Sequence, residues 1–396
     1  MYIAGFFIDI DFLYLKMLLS LPDILILLLI FQLTFVGIYL FSKKKGKSVS
    51  NKLLGCFFIC IGLAMADNLL LSAGVWFKYP AGATLTNTFP FLYGPLLFLY
   101  TQSLIYKNFS ISLKKLIHLL PFAIFFFIST IGYEMQPKAF KLNLLHQIGE
   151  HHVTIGLYVV ALIMTVHFAV YALYALSAIK KYNILALNRY SEAQKTSLKW
   201  LSATIIFFLF LFILSLLNNL LEIAAIPAYH TPFLIAIILL LFFFVNRLNF
   251  KALNNPEIFS WVNEDDVVVD IKTASPPTLP DKTEELNALA AHMQNNKPYL
   301  NPELTVEMLA KQLRMHPKEL SKLINEHLQQ NFFDFVNRYR IRDAQDLLLN
   351  SPDKKITVLE ILYKTGFNSK SSFNTLFKKY TGVTPTEFKN ARPPAP

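Results

Sequence analysis

Polar side chains occur at helical spacing on one side of a short segment near the C-terminus. The apolar residues Phe373, Leu376 and Phe377 fall on one face of a helix, which indicates that this face is buried and the other meets solvent. The exposed side carries Lys370, Ser371, Ser372, Asn374, Thr375 and Lys378. Such side chains hydrogen-bond to phosphates and base edges, and they are typical of a helix that lies in a DNA major groove.

A similar segment occurs earlier in the chain. Pro317 suits the first turn of a helix, and Leu320, Leu323 and Ile324 form its apolar stripe. The opposite face offers Lys318, Ser321, Lys322 and Asn325. The sequence therefore predicts two helices with the same DNA-binding chemistry.

Each of these helices follows a shorter amphipathic helix, as in a helix-turn-helix unit. Thr305 is a natural N-cap for the first short helix, which runs from Val306 to Leu313. In the second unit Gly366 supplies the turn and Ser369 caps the polar helix. A longer amphipathic helix from Phe332 to about Asn350, stopped by Ser351 and Pro352, connects the two units.

The segments 365–374 (TGFNSKSSFN) and 377–388 (FKKYTGVTPTEF) resemble the DNA-binding domain of the AraC family of bacterial regulators. The resemblance covers roughly residues 284–390. It implies that the two units place their second helices in successive major grooves on one DNA face, and that the protein acts as a homodimer. Arg314 departs from the pattern, because the family often has glycine in a turn where positive φ costs another residue about 1 kcal/mol. His316 replaces the usual serine cap.

Residues 1–253 have the composition of a membrane protein. The chain is 54% apolar with a mean hydropathy of +0.42, whereas residues 254–396 read like an ordinary soluble protein. A bilayer core about 30 Å thick needs about 20 apolar helical residues. Seven runs approach that length: residues 22–41, 53–76, 87–106, 116–133, 153–179, 200–222 and 231–247.

Basic residues predict the orientation of these helices, since short cytoplasmic loops collect Lys and Arg. They follow the first, third and fifth runs, as at residues 43–52, 107–115 and 180–199, while the opposite loops hold only Lys78, Lys138 and Lys141. The N-terminus is thus expected outside and everything after Arg247 in the cytoplasm. Residues 254–283 contain several Pro, Asp and Glu residues and are expected to form an extended linker.

Ionisable and strongly polar groups at membrane depth are candidate functional positions because they are costly there. Asp67 and Asn68 of the second helix and Asn218, Asn219 and Glu222 of the sixth fall at a similar depth. One interpretation is a ligand pocket open to the outside. Interhelical hydrogen bonding or an interfacial position explains the same residues without a ligand.

Catalytic and metal-binding chemistry is not indicated. The membrane half has no HExxH or GxSxG motif and no phosphate-binding glycine loop. Cys56 and Cys60 are interpreted as packing residues, and the outer-loop residues Glu134, His146 and Glu150 to His152 as solvated. We expect no cofactor, no metal ion and no enzymatic activity.

Together these patterns predict an all-α protein: a seven-helix transmembrane bundle (1–253), an acidic linker (254–283) and a soluble domain of two helix-turn-helix units joined by a long linker helix (284–396). The segments 92–97 (LYGPLL) and 118–121 (HLLP) add a resemblance to multi-span AraC-type regulators of Bacteroidetes-like bacteria. That resemblance implies a transcription regulator of the bacterial inner membrane. Its expected partners are promoter DNA, the lipid bilayer, a signal ligand, a second copy of the chain and RNA polymerase.

Two alternatives remain open. One is a transporter or other membrane protein that carries a regulatory DNA-binding tail. The other is a membrane anchor that senses nothing, although seven helices are many for an anchor.

Overall fold

The computed structural model describes residues 21–42, 48–83, 85–106, 109–149, 155–192, 198–223, 227–254, 282–352 and 355–390. Most of the predicted acidic linker lies outside these ranges, as do the loop lysines between residues 43 and 47 and the histidines His151 and His152. Among the described residues the fold is all-helical, as predicted, apart from an isolated antiparallel bridge between Tyr190 and Thr305. The chain divides into two compact units.

The first unit consists of residues Met1–Ala178 and Lys199–Glu257. Its helices are α1 (Leu21–Ser42), α2 (Ser48–Ser72), α3 (Val75–Lys78), α4 (Pro90–Ile105), α5 (Leu113–Leu116), α6 (Leu120–Ser129), α7 (Lys138–Gly149), α8 (Ile155–Arg189), α9 (Lys199–Ile223) and α10 (Pro227–Asn254). The 35-residue helix α8 continues past Ala178, so its last residues belong to the second unit.

Five helical stretches in the described part of the chain are long and apolar enough to cross a membrane. They are Leu21–Ser42, Ser48–Ser72, Leu113–Glu134, Ile155–Arg189 and Lys199–Leu221. The prediction of seven spans is therefore wrong by this measure.

The two remaining runs are not among these five stretches. The run 87–106 is reduced to α4, because Leu85–Thr88 forms a 3-10 turn and Tyr106 has an extended backbone. The 16 residues of α4 rise about 24 Å, less than a hydrocarbon core of about 30 Å. The run 231–247 lies within α10, of which the stretch Pro232–Arg247 is apolar but shorter than the five above.

Aromatic rings pack together inside the first unit. Phe57 of α2 meets Phe208 of α9 edge-on, with 5.1 Å between ring centroids, and Phe168 of α8 stacks on Phe212 of α9 at 4.4 Å. Both arrangements are favourable for aromatic pairs. Phe127 of α6, by contrast, is 65% exposed. Apolar side chains thus occupy both the inside and the outside of this unit, as in helices surrounded by lipid.

The second unit consists of residues Ile179–Leu198 and Ile258–Pro396. Its helices beyond α8 are α11 (Thr283–Asn296), α12 (Val306–Gln312), α13 (Pro317–Lys322), α14 (Phe332–Asn350), α15 (Val358–Lys364), α16 (Lys370–Thr381) and α17 (Pro385–Asn390). The long connecting helix α14 has the predicted bounds, and Ser351 follows its last residue. Its residues Phe335 and Val336 join a core formed by α11, α12 and α13.

Candidate nucleic-acid interface

The helices of the second helix-turn-helix unit begin at side-chain caps. The Thr357 hydroxyl accepts a hydrogen bond from the Glu360 backbone N–H at 3.1 Å, and the Glu360 carboxylate accepts one from the Thr357 backbone N–H at 2.7 Å. The Ser369 hydroxyl accepts from the backbone N–H of Ser372 at 3.4 Å and so begins α16. The predicted cap at Ser369 is confirmed.

Gly366 forms the turn between α15 and α16. Its φ of +82° is left-handed, a conformation that glycine adopts without steric cost. A Cβ atom at this position would lie 2.5 Å from the carbonyl oxygen of Tyr299 and 2.8 Å from that of Leu300. The turn therefore requires glycine both for its conformation and for the close approach of the backbone around Tyr299.

Helix α16 has one buried and one accessible side. Phe373, Leu376 and Phe377 are 0, 2 and 0% exposed, and the Phe373 ring lies 5.1 Å from that of Phe367. The predicted DNA-contacting residues are outside this buried face. Lys370, Ser371, Thr375 and Lys378 are exposed, and Ser372 and Asn374 are half-buried.

The first helix-turn-helix unit forms the same motif with different residues. Thr305 caps α12 by accepting a hydrogen bond from the Met308 backbone N–H at 3.3 Å, as predicted. Arg314 has φ +57°, so the expected left-handed turn is present without glycine. His316 replaces serine as the cap of α13: its Nδ1 accepts from the Lys318 backbone N–H at 3.2 Å.

The predicted DNA-contacting residues of the first helix-turn-helix unit differ more in their exposure to solvent. Lys318 and Lys322 are exposed and Ser321 is half-buried. Asn325 is 3% exposed, and its amide nitrogen lies 3.5 Å from the Ser321 hydroxyl. Asn325 belongs to a π-helical turn, Leu323–His327, that continues the six-residue helix α13. Because a π turn is wider than an α turn, it displaces side chains from their α-helical positions.

Asp334 connects α14 to α16. Its Oδ1 accepts hydrogen bonds from the Lys379 ammonium and the Tyr380 hydroxyl, both at 2.7 Å, and its Oδ2 accepts one from the Asn331 amide at 3.1 Å. Burial alone would raise the pKa of Asp334, but these bonds outweigh it and hold the pKa below the ordinary 3.8. Sequence reasoning missed this contact because Asp334 and Lys379 are 45 residues apart.

The residues of the predicted ligand pocket have unlike surroundings. Asp67 and Asn218 are 6% and 7% exposed, and the Oδ1 atom of each has no hydrogen-bond partner within the described residues. Asn68 is exposed and donates to a carbonyl of its own helix at 2.9 Å. Asn219 is half-buried, and Glu222 lies in α9 with its side chain outside the described part.

Other polar residues of the first unit stabilise its loops. Glu134 pairs with Lys141 at 3.3 Å, and its second oxygen accepts from the Gly82 backbone N–H at 2.9 Å. Cys56 and Cys60 are free thiols. Over the described ranges, no three His, Cys, Asp or Glu side chains come together in a way that could hold a metal ion.

Comparison with known proteins matches residues 309–391 to a family described as "Helix-turn-helix domain". The chain is 36% identical over 91 residues to the uncharacterized transcriptional regulatory protein YesN of Bacillus subtilis (strain 168), covering 22% of this chain and 24% of that protein. It is 32% identical over 98 residues to the HTH-type transcriptional regulator GlxA of Rhizobium meliloti (strain 1021), covering 25% and 29%. The C-terminal part thus matches a helix-turn-helix domain.

Among solved structures, the C-terminal domain of AraT, a response regulator from Geobacillus stearothermophilus, is similar over 27% of this chain and 88% of that chain. The identity is 28% and the TM-score 0.25. The chain spans about a quarter of the length of the curated relatives it matches, 24% and 29%.

Proposed function

We propose that this chain is a membrane-embedded transcription regulator that binds promoter DNA with its C-terminal domain. The observation that carries the proposal is the accessible polar side of α16, held by a phenylalanine core and a glycine turn within the residues that match a helix-turn-helix family. Lysines there can contact phosphates, and Asn374 can pair with the edge of adenine. The relatives support this assignment because they are named as transcriptional regulators.

The test uses the full-length chain in lipid nanodiscs and a DNA fragment enriched by chromatin immunoprecipitation. Asn374→Ala removes a base contact and should weaken specific binding about 10- to 100-fold. Lys370→Ala removes a phosphate contact and should reduce the salt dependence of binding by about one ion. Asn296→Ala, an exposed change at the end of α11, is the matched control. Specific binding that survives in Asn374→Ala would show that α16 does not read the bases.

We further propose that the first unit lies in the bacterial inner membrane with the DNA-binding domain in the cytoplasm. Support comes from the five long apolar helices and from the basic residues between 43 and 52 that follow the first of them, which favour an outside N-terminus. In a chain with Cys56 and Cys60 replaced by alanine, Lys78→Cys should react with an impermeant maleimide in intact spheroplasts. Lys52→Cys, at the other end of α2, should react only after lysis. The opposite labelling pattern would reverse the proposed orientation.

A role in sensing an external or membrane signal is proposed from the unpartnered Oδ1 atoms of Asp67 and Asn218. Buried polar groups without partners are unfavourable, so a polar ligand that satisfied them would bind with a gain in free energy. In a promoter reporter assay, Asp67→Ala and Asn218→Ala should abolish the response, while Asn68→Ala should retain it. An unchanged response in both variants would favour an anchor without sensing, and substrate uptake by the purified chain would favour the transporter alternative.

The AraC resemblance also suggests a homodimer on DNA and contact with RNA polymerase. Each copy would then read its own half-site, with a half-site spacing set by the dimer. Light scattering of the DNA-bound protein would give the number of copies.

A further inference from the structure

The C-terminal end of α8 makes direct contacts within the second unit. We call Arg189, Tyr190, Ser191 and Glu192 the docking segment. Tyr190 forms an antiparallel bridge with Thr305, and the Ser191 backbone N–H donates to the Leu304 carbonyl at 3.2 Å. Arg189 pairs with Glu307 of α12 at 2.6 Å. Three consecutive residues, Arg189 to Ser191, thus lie against the start of the first helix-turn-helix unit.

Ser191 is the most enclosed residue of the docking segment, at 1% exposure. Its carbonyl accepts a hydrogen bond from the Asn337 side chain at 2.9 Å, and its hydroxyl accepts one from Arg340 at 3.1 Å. The hydroxyl also donates to the Pro302 carbonyl at 3.4 Å. Every polar atom of Ser191 therefore has a partner in the DNA-binding domain, which is typical of a specific contact and not of chance proximity.

Arg340 is the buried group around which these contacts gather. It is 0% exposed, its Nε donates to the Tyr299 carbonyl at 2.7 Å, and its Nη2 donates to the Asn301 carbonyl at 2.8 Å. Its guanidinium carbon lies 5.6 Å from the centre of the Phe367 ring. Burial lowers the pKa of Arg340 to about 10, against the opposing effect of Glu192. A buried cation requires such partners, because leaving it unpaired is strongly unfavourable.

The docking segment also reaches the second helix-turn-helix unit. Ser191 and Glu192 line a small cavity together with residues of α14 and of the second helix-turn-helix unit. The other lining residues are Phe333 and Asn337 of α14, Phe367, and Ser372 and Leu376 of α16. The docking segment therefore contacts the first helix-turn-helix unit and the connecting helix α14, and it faces α16 across the cavity.

We propose that the docking segment holds the two helix-turn-helix units in a fixed relation, and that movement of α8 is transmitted to the DNA-binding domain through it. The two DNA-reading helices must fit successive major grooves about 34 Å apart, so a small change in their relation loses one set of contacts. This inference rests on the proposed function. It places the transmission at the end of α8 instead of in residues 254–283.

The contact itself is tested by disulfide formation in the full-length chain in nanodiscs, with Cys56 and Cys60 replaced by alanine. Opposed residues of an antiparallel pair have Cβ atoms about 5 Å apart, close enough for a disulfide after a small shift. Tyr190→Cys with Thr305→Cys should therefore crosslink at least tenfold faster than Tyr190→Cys with Lys311→Cys, an exposed position on the same helix α12. Equal rates for the two pairs overturn the proposal, whatever the chain does with DNA.

The effect on DNA is tested by reversing the charges of the pair between Arg189 and Glu307. Arg189→Glu and Glu307→Arg should each change the affinity for the enriched DNA fragment about threefold, the size expected for a partly exposed ion pair. The double reversal should restore it. Glu303→Arg, an exposed neighbour, controls for the change in net charge of Glu307→Arg.

The outcomes separate the two proposals. Fast crosslinking together with restoration by the double reversal supports the transmission route. Unchanged affinity in both single reversals overturns it, even if crosslinking is fast. A wild-type chain that binds no specific DNA overturns the proposed function, while the crosslinking rates still decide whether the docking segment is in contact.

Discussion

The two helix-turn-helix units form the same motif with different residues in their turns and helices. The second has glycine at both left-handed positions, Gly366 (φ +82°) and Gly382 (φ +84°), and a regular 12-residue helix α16. The first has Arg314 at φ +57° and a six-residue helix α13 that passes into a π turn. The second helix-turn-helix unit thus has residues that favour the backbone conformation of its turns. The first has the left-handed turn although arginine disfavours it.

The surroundings of the first unit explain how it tolerates this strain. Leu309, Ala310, Leu320 and Ile324 are all 0% exposed in a core shared with α11 and α14. A residue in an unfavourable backbone region persists where such packing over-determines its conformation. The comparison teaches that one motif can be stabilised by its own turn residues or by its neighbours.

The largest effect is expected for Gly366→Ala. The added Cβ would combine a left-handed backbone with a clash against the Tyr299 carbonyl, so unfolding should become easier by about 3 kcal/mol or more. Gly382→Ala is the matched control, since its Cβ would meet nothing within 4 Å, and it should cost about 1 kcal/mol. Pulse proteolysis of the C-terminal domain in urea measures both. Equal losses of stability in the two variants would mean that the close approach of the Tyr299 carbonyl adds no penalty at Gly366.

A smaller loss, about 2 kcal/mol, is expected for Asp334→Asn, because the charge-assisted bonds from Lys379 and Tyr380 are weakened. The pKa of Asp334 is lower in the folded state, so its contribution is fully present above the unfolded value near 3.8 and is lost as the pH falls through the folded pKa. The variant should therefore show a flatter acid dependence. Parallel stability–pH curves for the wild type and the variant would rule out this role, and Glu303→Gln serves as the exposed control.

Arg314→Gly should change stability in the opposite direction and stabilise the first helix-turn-helix unit. Glycine adopts the left-handed turn at no steric cost, so we expect a gain of about 1 kcal/mol in the same proteolysis assay. Arg314→Ala removes the side chain but keeps the strained backbone, and it should give no gain. A gain in both variants would attribute the effect to the arginine side chain instead of the turn.

The smallest differences are expected among the helix caps. Ser369→Ala removes the α16 cap and should cost about 1 kcal/mol, whereas His316→Ala should cost about half as much. Hydrogen exchange at the first amides of α13 and α16 compares the two directly. If His316→Ala were the more damaging change, the histidine would be the stronger cap and the first unit less dependent on its neighbours than we infer.

Local rules predicted what local residues determine. The caps at Thr305 and Ser369, the first-turn position of Pro317, the turn at Gly366 and the bounds of α14 are all confirmed. Each depends on residues within about one turn of helix, so the sequence pattern contains the necessary information.

Features that depend on distant residues or on helix length were not predictable in the same way. The Ser191 contacts join residues 146 and 149 positions apart, to Asn337 and Arg340, and no local pattern marks them. The burial of Asn325 follows from a π turn that an α-helical pattern does not reveal. One of the two extra spans arose because the apolar run 87–106 was counted as helix beyond the ends of α4.

The close approach at Gly366 has a consequence for the construction of hybrid regulators. The turn of the second unit lies against the backbone of Tyr299 and Leu300, which precede the first unit in the chain. A hybrid that exchanges only residues after α14 would bring a foreign turn against this unmatched surface. The smallest exchangeable piece therefore extends from α11 to α17, and target-site specificity should be transplanted as a pair of units.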